Sequence, residues 1–451
     1  MKAAVVGGGW AGLSAAFYLH QAGADVTVFE AARSLGGRAR SVHSARLNTT
    51  IDNGQHILLG AYTETISLIK ELGLEVKSVL HQTPLTLQSA DGQFALRTPS
   101  LPAPFHLLAA ILGARGLSLK ERYQLITITR RLQDKQWITP AGLTVSRWLE
   151  QGRQSDHVIR QFWQPLCIAA LNTPVDQACA QLLANVLRDS LGGPKSSSSV
   201  LIPRVDLSAL WPEHLPAGIR IQRGHAVRHL TSRDTHAQVD GEEFDGVVVA
   251  TNAPSAHRLL KNLGRPEKHS ESADGSDFLD ILTAFRYIPI ATVTLALEKP
   301  WGLPLPMLML ADAPEKKQYG QWLFDRSKFM HNCATLTVVI SDARTIDNVP
   351  RERVIAGILT QIQEQTQRFP SMPKVIGHEL IVEKRATFAA IPNLQRPGND
   401  TPWPRIWVAG DWTDTGYPAV LEGAVRSGKK AASLAVAQTW KEKPRPSPHD
   451  Q

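Results

Sequence analysis

The feature of this sequence that most constrains its fold is a run of glycines near its start. Gly7, Gly9 and Gly12 follow the apolar stretch AAVV and precede a segment of helical pattern that extends to about Ala22. Glycines at this spacing allow a tight turn, a close approach of the backbone to a pyrophosphate, and close packing of helix on strand. The N-terminus of the helix then faces the phosphates. The pattern therefore predicts a nucleotide-binding unit.

A second strand and an acidic residue complete this unit. The segment 24–29, ADVTVF, is predicted to be a strand, and Glu30 follows it at the position where a carboxylate accepts hydrogen bonds from ribose hydroxyls. Trp10 and Ala11 occupy the start of the intervening helix, inside the glycine pattern. The alternative, a purely structural glycine turn, is disfavoured because the strands, the helix and Glu30 are all present. We therefore expect the glycines, Trp10, Ala11 and Glu30 to contact a dinucleotide.

The composition excludes several other classes of protein. A chain of 451 residues with 43% hydrophobic and 20% charged residues is typical of a globular protein with two or three domains. No apolar run reaches the roughly 20 residues that span a bilayer. The three cysteines are widely spaced, so we expect no disulfide framework, no metal site and a cytoplasmic location. The net charge of +8 comes without a basic run, so nucleic acid is not an expected partner.

Several further segments resemble elements of the amine oxidase and phytoene desaturase superfamily of flavoproteins. They are Gly36-Gly37-Arg38, Asp52-Asn53-Gly54-Gln55-His56, the segment 223–230, and Val408-Ala409-Gly410-Asp411 with the following PAVLEGAV.

This resemblance implies that the cofactor is FAD. It places Arg38 on the FAD pyrophosphate and Asp411, which follows Gly410, on the ribityl chain. It also places Val227, on a strand, against the adenine through its main chain. The remaining residues that it places beside the flavin ring are Gly54, Gln55, His56, Val420 and Leu421. A positive helix N-terminus after Val420 would stabilise the negative charge of reduced flavin.

The predicted fold class is α/β, with a Rossmann-type FAD-binding domain, an inserted mostly helical region and a β-rich substrate domain. The segment GGPKSSSS at 192–199 is expected to be a flexible connection. The predicted boundaries are 1–98, 215–265 and 376–440 for the three FAD-binding parts, 99–195 for the helical region, 266–375 for the substrate sheet and 441–451 for a disordered tail.

Within the superfamily, the segments GGRARS, DNGQHILLGAY, LNTP and GDWTDTGYPAVLEGAVRSG resemble the hydroxysqualene dehydroxylases of bacterial hopanoid synthesis. That branch implies a reductive dehydroxylation of hydroxysqualene to squalene, with hydride from reduced FAD, and a functional association with other squalene-pathway enzymes. Amine oxidation is disfavoured because Val420 stands where an aromatic cage residue is usual and because the strand 291–297 contains no lysine. A polyene or carotenoid desaturase and a non-catalytic FAD-holding subunit remain alternatives.

Loss of hydroxide as water requires an acid. His56 is the first candidate, because an imidazole can be charged near neutrality, and a structural histidine is the alternative. Tyr62 and Tyr287 are weaker candidates. The aromatic residues Trp163, Tyr287 and Trp322 could stabilise a cation, but core packing is the more common role of such side chains.

One segment of the helical region could contact a membrane. Residues 101–119 are strongly apolar, contain no acidic residue and are followed by Lys120 and Arg122. Pro102, Pro104 and Gly113 make the segment unsuitable for spanning, but it is long enough to lie in the bilayer interface. The expected location is therefore the cytoplasm, peripherally on the inner face of the membrane. The alternative is a buried helix that lines the substrate pocket.

Overall fold

The computed structural model describes residues 1–101, 105–263 and 275–441. Pro102 and Pro104 of the apolar segment, residues 266–274 of the expected substrate domain and residues 442–451 of the expected tail lie outside the described residues.

The strands, β1 to β20 in chain order, are Lys2–Val6, Asp25–Glu30, Ser41–Ser44, Thr49–Asp52, Leu58–Leu59, Leu80–Thr83, Thr86–Gln88, Ala95–Arg97, Val200–Pro203, Arg220–Arg223, Leu230–Ser232, Ala237–Val239, Glu242–Phe244, Gly246–Val249, Tyr287–Leu297, Met307–Met309, Trp322–Asp325, Thr335–Ile340, Val375–Phe388 and Ile406–Val408. The α-helices, α1 to α14, are Trp10–Gln21, Thr63–Glu71, Val76–Val79, Phe105–Leu112, Leu119–Asp134, Val145–Gln151, Asp156–Val158, Gln164–Leu171, Ala180–Leu191, Leu207–Leu210, Ala253–Leu260, Gly275–Thr283, Arg351–Gln365 and Leu421–Lys441.

A parallel sheet of five strands forms the nucleotide-binding domain, in the order β10-β2-β1-β14-β20. Its central strand β1 is almost completely buried, which explains why the sequence there is a continuous apolar run instead of an alternating one. The first strand, helix and second strand lie where the glycine pattern placed them. The predicted α/β fold class is confirmed.

Helix α14 packs against α1 and closes one face of this sheet. A Cβ atom on Gly428 of α14 would lie 2.1 Å from the carbonyl oxygen of Ala11, so only glycine allows the two helices to approach this closely. The hydroxyl of Ser14 on α1 donates to the carbonyl of Val425 at 2.9 Å. The first and last described helices of the chain therefore belong to one structural unit.

The second sheet is antiparallel, in the order β16-β17-β18-β15-β19. One face, including Leu323 and Val338, packs on α13. The other face, including Trp322 and Phe324, contributes to the same core as the helical region. Strand β19 pairs with β15 through most of its length, so residues 376–388, expected in the third FAD-binding part, belong to this sheet instead.

The helical region contains α4 to α9 and one π-helical turn at Ile159–Trp163. The segment 192–199 that follows is not an open linker. It contains a 3₁₀ turn, and the amide of Gly60 donates to the carbonyl of Ser199 at 2.8 Å. A Cβ atom on Gly60 would lie 1.8 Å from the carbonyl oxygen of Ser196. The expectation of a flexible connection is wrong because β9, which begins at residue 200, pairs with β5 and β6 and holds the segment against them.

Candidate active site

The glycine loop between β1 and α1 has a backbone that larger residues would not tolerate. Gly7 has a φ of 113°, and a Cβ atom there would lie 2.7 Å from the carbonyl oxygen of Ala250. A Cβ atom on Gly12 would lie 1.9 Å from the carbonyl oxygen of Gly7. The N-cap residue of α1 is Gly9, which has no side chain, so no N-cap side chain accepts a hydrogen bond from the first amides of the helix. Such a helix N-terminus suits a phosphate.

The Gly36-Gly37 loop lies directly beside the first one. The amide of Gly36 donates to the carbonyl of Gly8 at 2.8 Å. Gly37 has a φ of 60°, and a Cβ atom there would lie 3.0 Å from the Cα atom of Gly9. Two glycine-lined backbones therefore meet where the resemblance places the pyrophosphate.

Trp10 and Ala11 have mainly structural side chains. The Trp10 ring is buried against Trp211 at a centroid distance of 5.0 Å, and its Nε1 donates to the carbonyl of Ala39 at 3.2 Å. The Ala11 side chain is also buried, next to α14. A cofactor can meet these two residues only through their main chain.

Glu30 ends β2 with both carboxylate oxygens engaged. Its Oε2 accepts from the amide of Gly8 at 2.5 Å, and its Oε1 accepts from the amide of Ala32 at 2.7 Å. Each oxygen keeps a second acceptor position for a ribose hydroxyl. The carboxylate therefore holds the glycine loop in place and can still accept hydrogen bonds from ribose hydroxyls.

Val227 lies near Glu30 but not on a strand. Strand β10 ends at Arg223, and the amide of His225 donates to the Glu30 carbonyl at 2.9 Å. The expectation of a strand at Val227 is wrong because Asp240 accepts the amides of the next two residues, 228 and 229, at 3.0 and 2.8 Å. These bonds replace ladder hydrogen bonds, and Val227 is left half-buried in the loop.

Arg38 and Asp411 form an ion pair that joins the two ends of the chain. The distance from Arg38 Nη2 to Asp411 Oδ1 is 2.7 Å, and Arg38 Nη1 donates to the carbonyl of Ala386 at 2.9 Å. Burial opposes the charge of Arg38, but Asp411 outweighs it, so the pKa of the guanidinium lies above its ordinary value. The sequence assigned these residues to different parts of one cofactor, and the structure places them in contact.

A loop connects β20 to α14 and contains Gly410 and Asp411. The amide of Gly410 donates to the hydroxyl of Ser427 on α14 at 2.9 Å. Val420 precedes the first residue of α14, Leu421, and both are half-buried. This arrangement places the N-terminus of α14 at the end of the loop that carries Asp411.

Arg396 supports this loop, and sequence reasoning missed it. Its guanidinium donates to the carbonyls of Asp411 at 2.7 Å, Trp412 at 3.3 Å and Tyr417 at 2.5 Å, and it also bonds the carbonyl of Thr413. Burial lowers the pKa of Arg396 to about 10, which Asp414 and Asp411 partly oppose. A lone arginine in a proline-containing loop gives no local signal of such contacts.

The segment 52–56 is held by a buried ion pair. Arg326 Nη2 lies 3.2 Å from Asp52 Oδ2, and the amide of Leu207 donates to Asp52 Oδ1 at 2.8 Å. A Cβ atom on Gly54 would lie 3.4 Å from His56 Cε1 and 3.7 Å from Thr292 Oγ1. The segment therefore meets the second sheet at β15.

The side chains of His56 and Gln55 differ in their hydrogen bonding. His56 Nδ1 lies 3.0 Å from the carbonyl oxygen of Gly54, so Nδ1 carries the proton in the neutral ring. Burial lowers the pKa of His56, and Arg38 adds to this effect, while Gly54 and Asp52 oppose it. Within the described part of the chain, Gln55 Oε1 is buried and has no hydrogen-bond partner.

Tyr287 belongs to the same cluster, whereas Tyr62 does not. The Tyr287 hydroxyl accepts from the amide of Ala253 at 3.3 Å. Burial, with Asp411 adding and Arg38 opposing, raises the pKa of Tyr287 to about 12. Tyr62 lies at the start of α2 against Tyr417, and burial raises its pKa well above the ordinary value.

Trp163 lies in the core of the helical region. Its ring packs against Trp148 and Phe162 at centroid distances of 5.1 and 4.9 Å, and its Nε1 donates to Gln154 Oε1 at 3.0 Å. These contacts explain Trp163 as a packing residue. Trp322, by contrast, lies on the second sheet, on the face that turns away from α13.

Together these residues define a class of protein. Two adjacent glycine loops, an acidic strand end and the Arg38–Asp411 pair fit a flavin dinucleotide. The profile of the family described as flavin containing amine oxidoreductase matches residues 10–436. The chain belongs to this family of FAD-dependent oxidoreductases, which confirms the predicted superfamily, enzyme class and cofactor.

The relatives agree with this assignment. The chain is 30% identical to the hydroxysqualene dehydroxylase of Rhodopseudomonas palustris, over 96% of this chain and 98% of that protein. It is 24% identical to the chloroplastic 15-cis-phytoene desaturase of Narcissus pseudonarcissus, over 97% of this chain and 79% of that protein. The fold is also similar to that of an oxidoreductase from Methanosarcina mazei, with a TM-score of 0.70, 17% identity and coverage of 96% and 100% of the two chains.

Proposed function

We propose that this protein converts hydroxysqualene to squalene by an FAD-dependent reductive dehydroxylation. The observation that carries the proposal is the 30% identity to a hydroxysqualene dehydroxylase over 96% of the chain. The structure supports it with a face of the second sheet that includes the buried apolar side chains Met309 and Phe324, which suit a hydrocarbon, and that meets the segment 54–56 at Thr292. When bound and reduced, FAD supplies a hydride to the carbon that loses the hydroxyl.

The roles of individual residues are part of this proposal. The glycine loops, Glu30 and the main chain at Val227 bind the nucleotide end of the cofactor. Arg38 and Asp411 bind its central part, and the main chain at Val420 and Leu421 faces the flavin ring.

Two titratable residues are proposed to act beside the substrate. Tyr287 keeps its proton at neutral pH and can donate it in a hydrogen bond. His56 is the proposed acid. Because its pKa is lowered, it carries the required second proton mainly below neutrality.

The decisive experiment is an anaerobic incubation of purified, chemically reduced protein with hydroxysqualene, followed by mass spectrometry of the hydrocarbons. Squalene formed in proportion to reduced flavin consumed supports the proposal. The second candidate function, polyene desaturation, is favoured by the similarity to a phytoene desaturase. It predicts the opposite result, no squalene under reducing conditions and a more unsaturated product when the flavin is oxidised. Turnover by the single purified chain excludes a non-catalytic FAD-holding role.

We also propose that the protein binds the membrane surface through α4. The structure divides the apolar segment 101–119 into two faces. Leu107 and Ile111 are buried and line a small apolar cavity with Trp163, so this face of α4 belongs to the core. Phe105 and Leu112, on the other face, are 59% and 52% exposed.

The surroundings of α4 favour an anionic bilayer. Most of the exposed large apolar side chains among the described residues lie between 101 and 138, including Leu119 and Tyr123. The basic residues Arg115, Lys120, Arg130 and Arg131 are exposed in the same region. Each contributes about 1 kcal/mol near an anionic leaflet. None of the helices in the described ranges is long and apolar enough to cross a bilayer. The proposed location is the cytoplasm, peripherally on the inner face of the membrane.

Co-sedimentation with liposomes tests this surface. Wild-type protein should bind anionic vesicles, more weakly in high salt. Leu112→Glu should lose binding with its flavin spectrum intact. Ile376→Glu is the matched control, because Ile376 is 65% exposed but lies on β19 of the second sheet. Equal binding by the two variants would contradict the proposal.

A further inference from the structure

The face of the second sheet that turns away from α13 carries polar side chains. Thr292 on β15 is paired with Val339 on β18, which is paired with Trp322 on β17. Thr337, two residues before Val339, is paired with Thr294 on β15. Directly paired residues project from the same face of a sheet, and residues two apart share that face. Thr292, Thr294, Thr337 and Trp322 therefore lie on one face.

Two of these side chains are buried with an unused polar atom. Thr337 is 2% exposed and Trp322 is 6% exposed. No residue in the described ranges forms a hydrogen bond with Thr337 Oγ1 or Trp322 Nε1. Native proteins satisfy most buried polar groups, so each exception needs a cause, and a missing ligand is one such cause. The two residues are diagonal neighbours, so their side chains are within reach of one binding group.

This face meets the segment of the active site that carries His56. Thr292, a diagonal neighbour of Thr337, is the residue whose hydroxyl lies 3.7 Å from a Cβ atom built on Gly54. Gln55, the residue after Gly54, provides another buried oxygen without a partner among the described residues. Unused polar atoms therefore occur on β17 and β18 of this face and on the segment 54–56, which meets the same sheet at Thr292 of β15.

We propose that Thr337 and Trp322, with Gln55, bind the hydroxyl group of the substrate and the water that it becomes. An indole N–H donates, an amide oxygen accepts and a threonine hydroxyl does either, which matches the donor and acceptors of an alcohol or a water molecule. The surrounding side chains Met309 and Phe324 are apolar and buried, so a hydrocarbon alone leaves the polar atoms unpaired. The inference rests on the proposed function and makes the hydroxyl the feature by which hydroxysqualene is distinguished from squalene.

The test compares two ligands and two variants that each remove one polar group. Thr337→Val is nearly isosteric, and Trp322→Phe keeps an aromatic ring of smaller size. Hydroxysqualene and squalene, in detergent micelles, are titrated into the oxidised holoenzyme, and binding is followed by the change in flavin absorbance. Each variant should bind hydroxysqualene about tenfold more weakly, the usual effect of one lost hydrogen bond, and squalene as well as wild type does. The melting temperature of Thr337→Val without substrate should be unchanged or higher, because an unpaired buried group has been removed. That of Trp322→Phe should fall slightly, because the smaller ring leaves space in the core.

Two controls separate a binding role from a structural one. Thr337→Ser keeps the hydroxyl and should keep the preference for hydroxysqualene. Thr366→Val removes a buried hydroxyl that donates to the carbonyl of Ile362, and it should lower the melting temperature without changing the preference.

The outcomes for the inference and for the proposed function differ. Suppose that the wild type prefers hydroxysqualene, that the variants lose this preference, and that no squalene is formed. This result would refute the proposed function and support the binding site. Protein that forms squalene while Thr337→Val and Trp322→Phe keep the full preference would overturn the inference. Variants that lose both ligands equally and melt at a lower temperature would also overturn it.

Discussion

Arg396 offers the sharpest test of how the cofactor loop is held, because its side chain contacts the backbone of that loop and no residue of the glycine loops. The substitution Arg396→Met removes donors to the carbonyls of Asp411, Trp412, Thr413 and Tyr417. The four residues that carry these carbonyls are buried. Met fills similar space, so the main change is the loss of the hydrogen bonds.

The magnitude follows from two opposing effects. Each buried carbonyl left unpaired costs about 1–3 kcal/mol, or about 8 kcal/mol for four at the middle of that range. In the opposite direction, the substitution removes a buried charge. The pKa of Arg396 is lowered from 12.5 to about 10, so the charge destabilises the folded protein by about 3 kcal/mol at 1.36 kcal/mol per pKa unit, and its removal recovers that amount. Water entering the space would satisfy some carbonyls, so we expect a net loss of about 3–5 kcal/mol.

The assay is thermal unfolding of the holoenzyme together with the ratio of flavin to protein absorbance. For a chain of this length unfolding as one unit, the unfolding entropy is about 1 kcal/mol/K, so the melting temperature should fall by about 3–5 °C. The flavin ratio should fall as well, because Asp411 is displaced. Arg351→Met is the control, since Arg351 is exposed and forms a surface ion pair with Glu379. Equal melting temperatures and flavin ratios for the two variants would refute the reasoning.

Three further predictions concern the cofactor and the acid. Gly12→Ala should abolish FAD binding, since its Cβ atom would lie 1.9 Å from a carbonyl oxygen. The control Gly398→Ala, whose Cβ atom would have no atom within 4 Å, should bind FAD normally. The flavin absorbance of the purified proteins distinguishes the two variants. Glu30→Gln should weaken FAD binding about 5–30-fold in a fluorescence titration, because a neutral amide is a poorer acceptor, and an unchanged affinity would contradict the role of the carboxylate. The rate of dehydroxylation should rise as pH falls towards the lowered pKa of His56, by up to about tenfold per pH unit. The variant His56→Gln should show a flatter dependence of rate on pH. A wild-type rate that is constant between about pH 8 and about pH 5 would exclude His56 as the acid.

The local parts of the fold could be predicted from the sequence. The run from β1 to β2 contains its own signals, namely an apolar strand, glycines at fixed spacing and a terminal Glu30, so prediction and structure agree. The same holds for Gly410 and Asp411, which follow a short apolar strand. Val227 was placed on a strand wrongly because the competing acceptor, Asp240, lies 13 residues further along.

The long-range parts could not be predicted in this way. The position of β19 depends on its pairing with β15, about 90 residues earlier, and nothing in residues 376–388 alone specifies that partner. Arg396 and the Asp52–Arg326 pair have no local pattern, because their partners are backbone carbonyls and a residue 274 positions away. The division of α4 into a core face and an exposed face likewise depends on what packs beneath it. A strongly apolar segment alone did not show which of its leucines face outward.

The close contact between α1 and α14 at Gly428 has a consequence for biosynthesis. The strand order also requires β20, near the end of the described chain, to complete a sheet whose central strand starts at Lys2. A ribosome adds about 5–20 residues per second, so about 20–80 s separate the first strand from the last elements of the same domain. During that interval the apolar surface of α1 that Gly428 later covers has no permanent neighbour, and the cofactor loop with Asp411 does not yet exist. The nascent chain therefore cannot retain FAD in its complete site until β20 and α14 have left the ribosome.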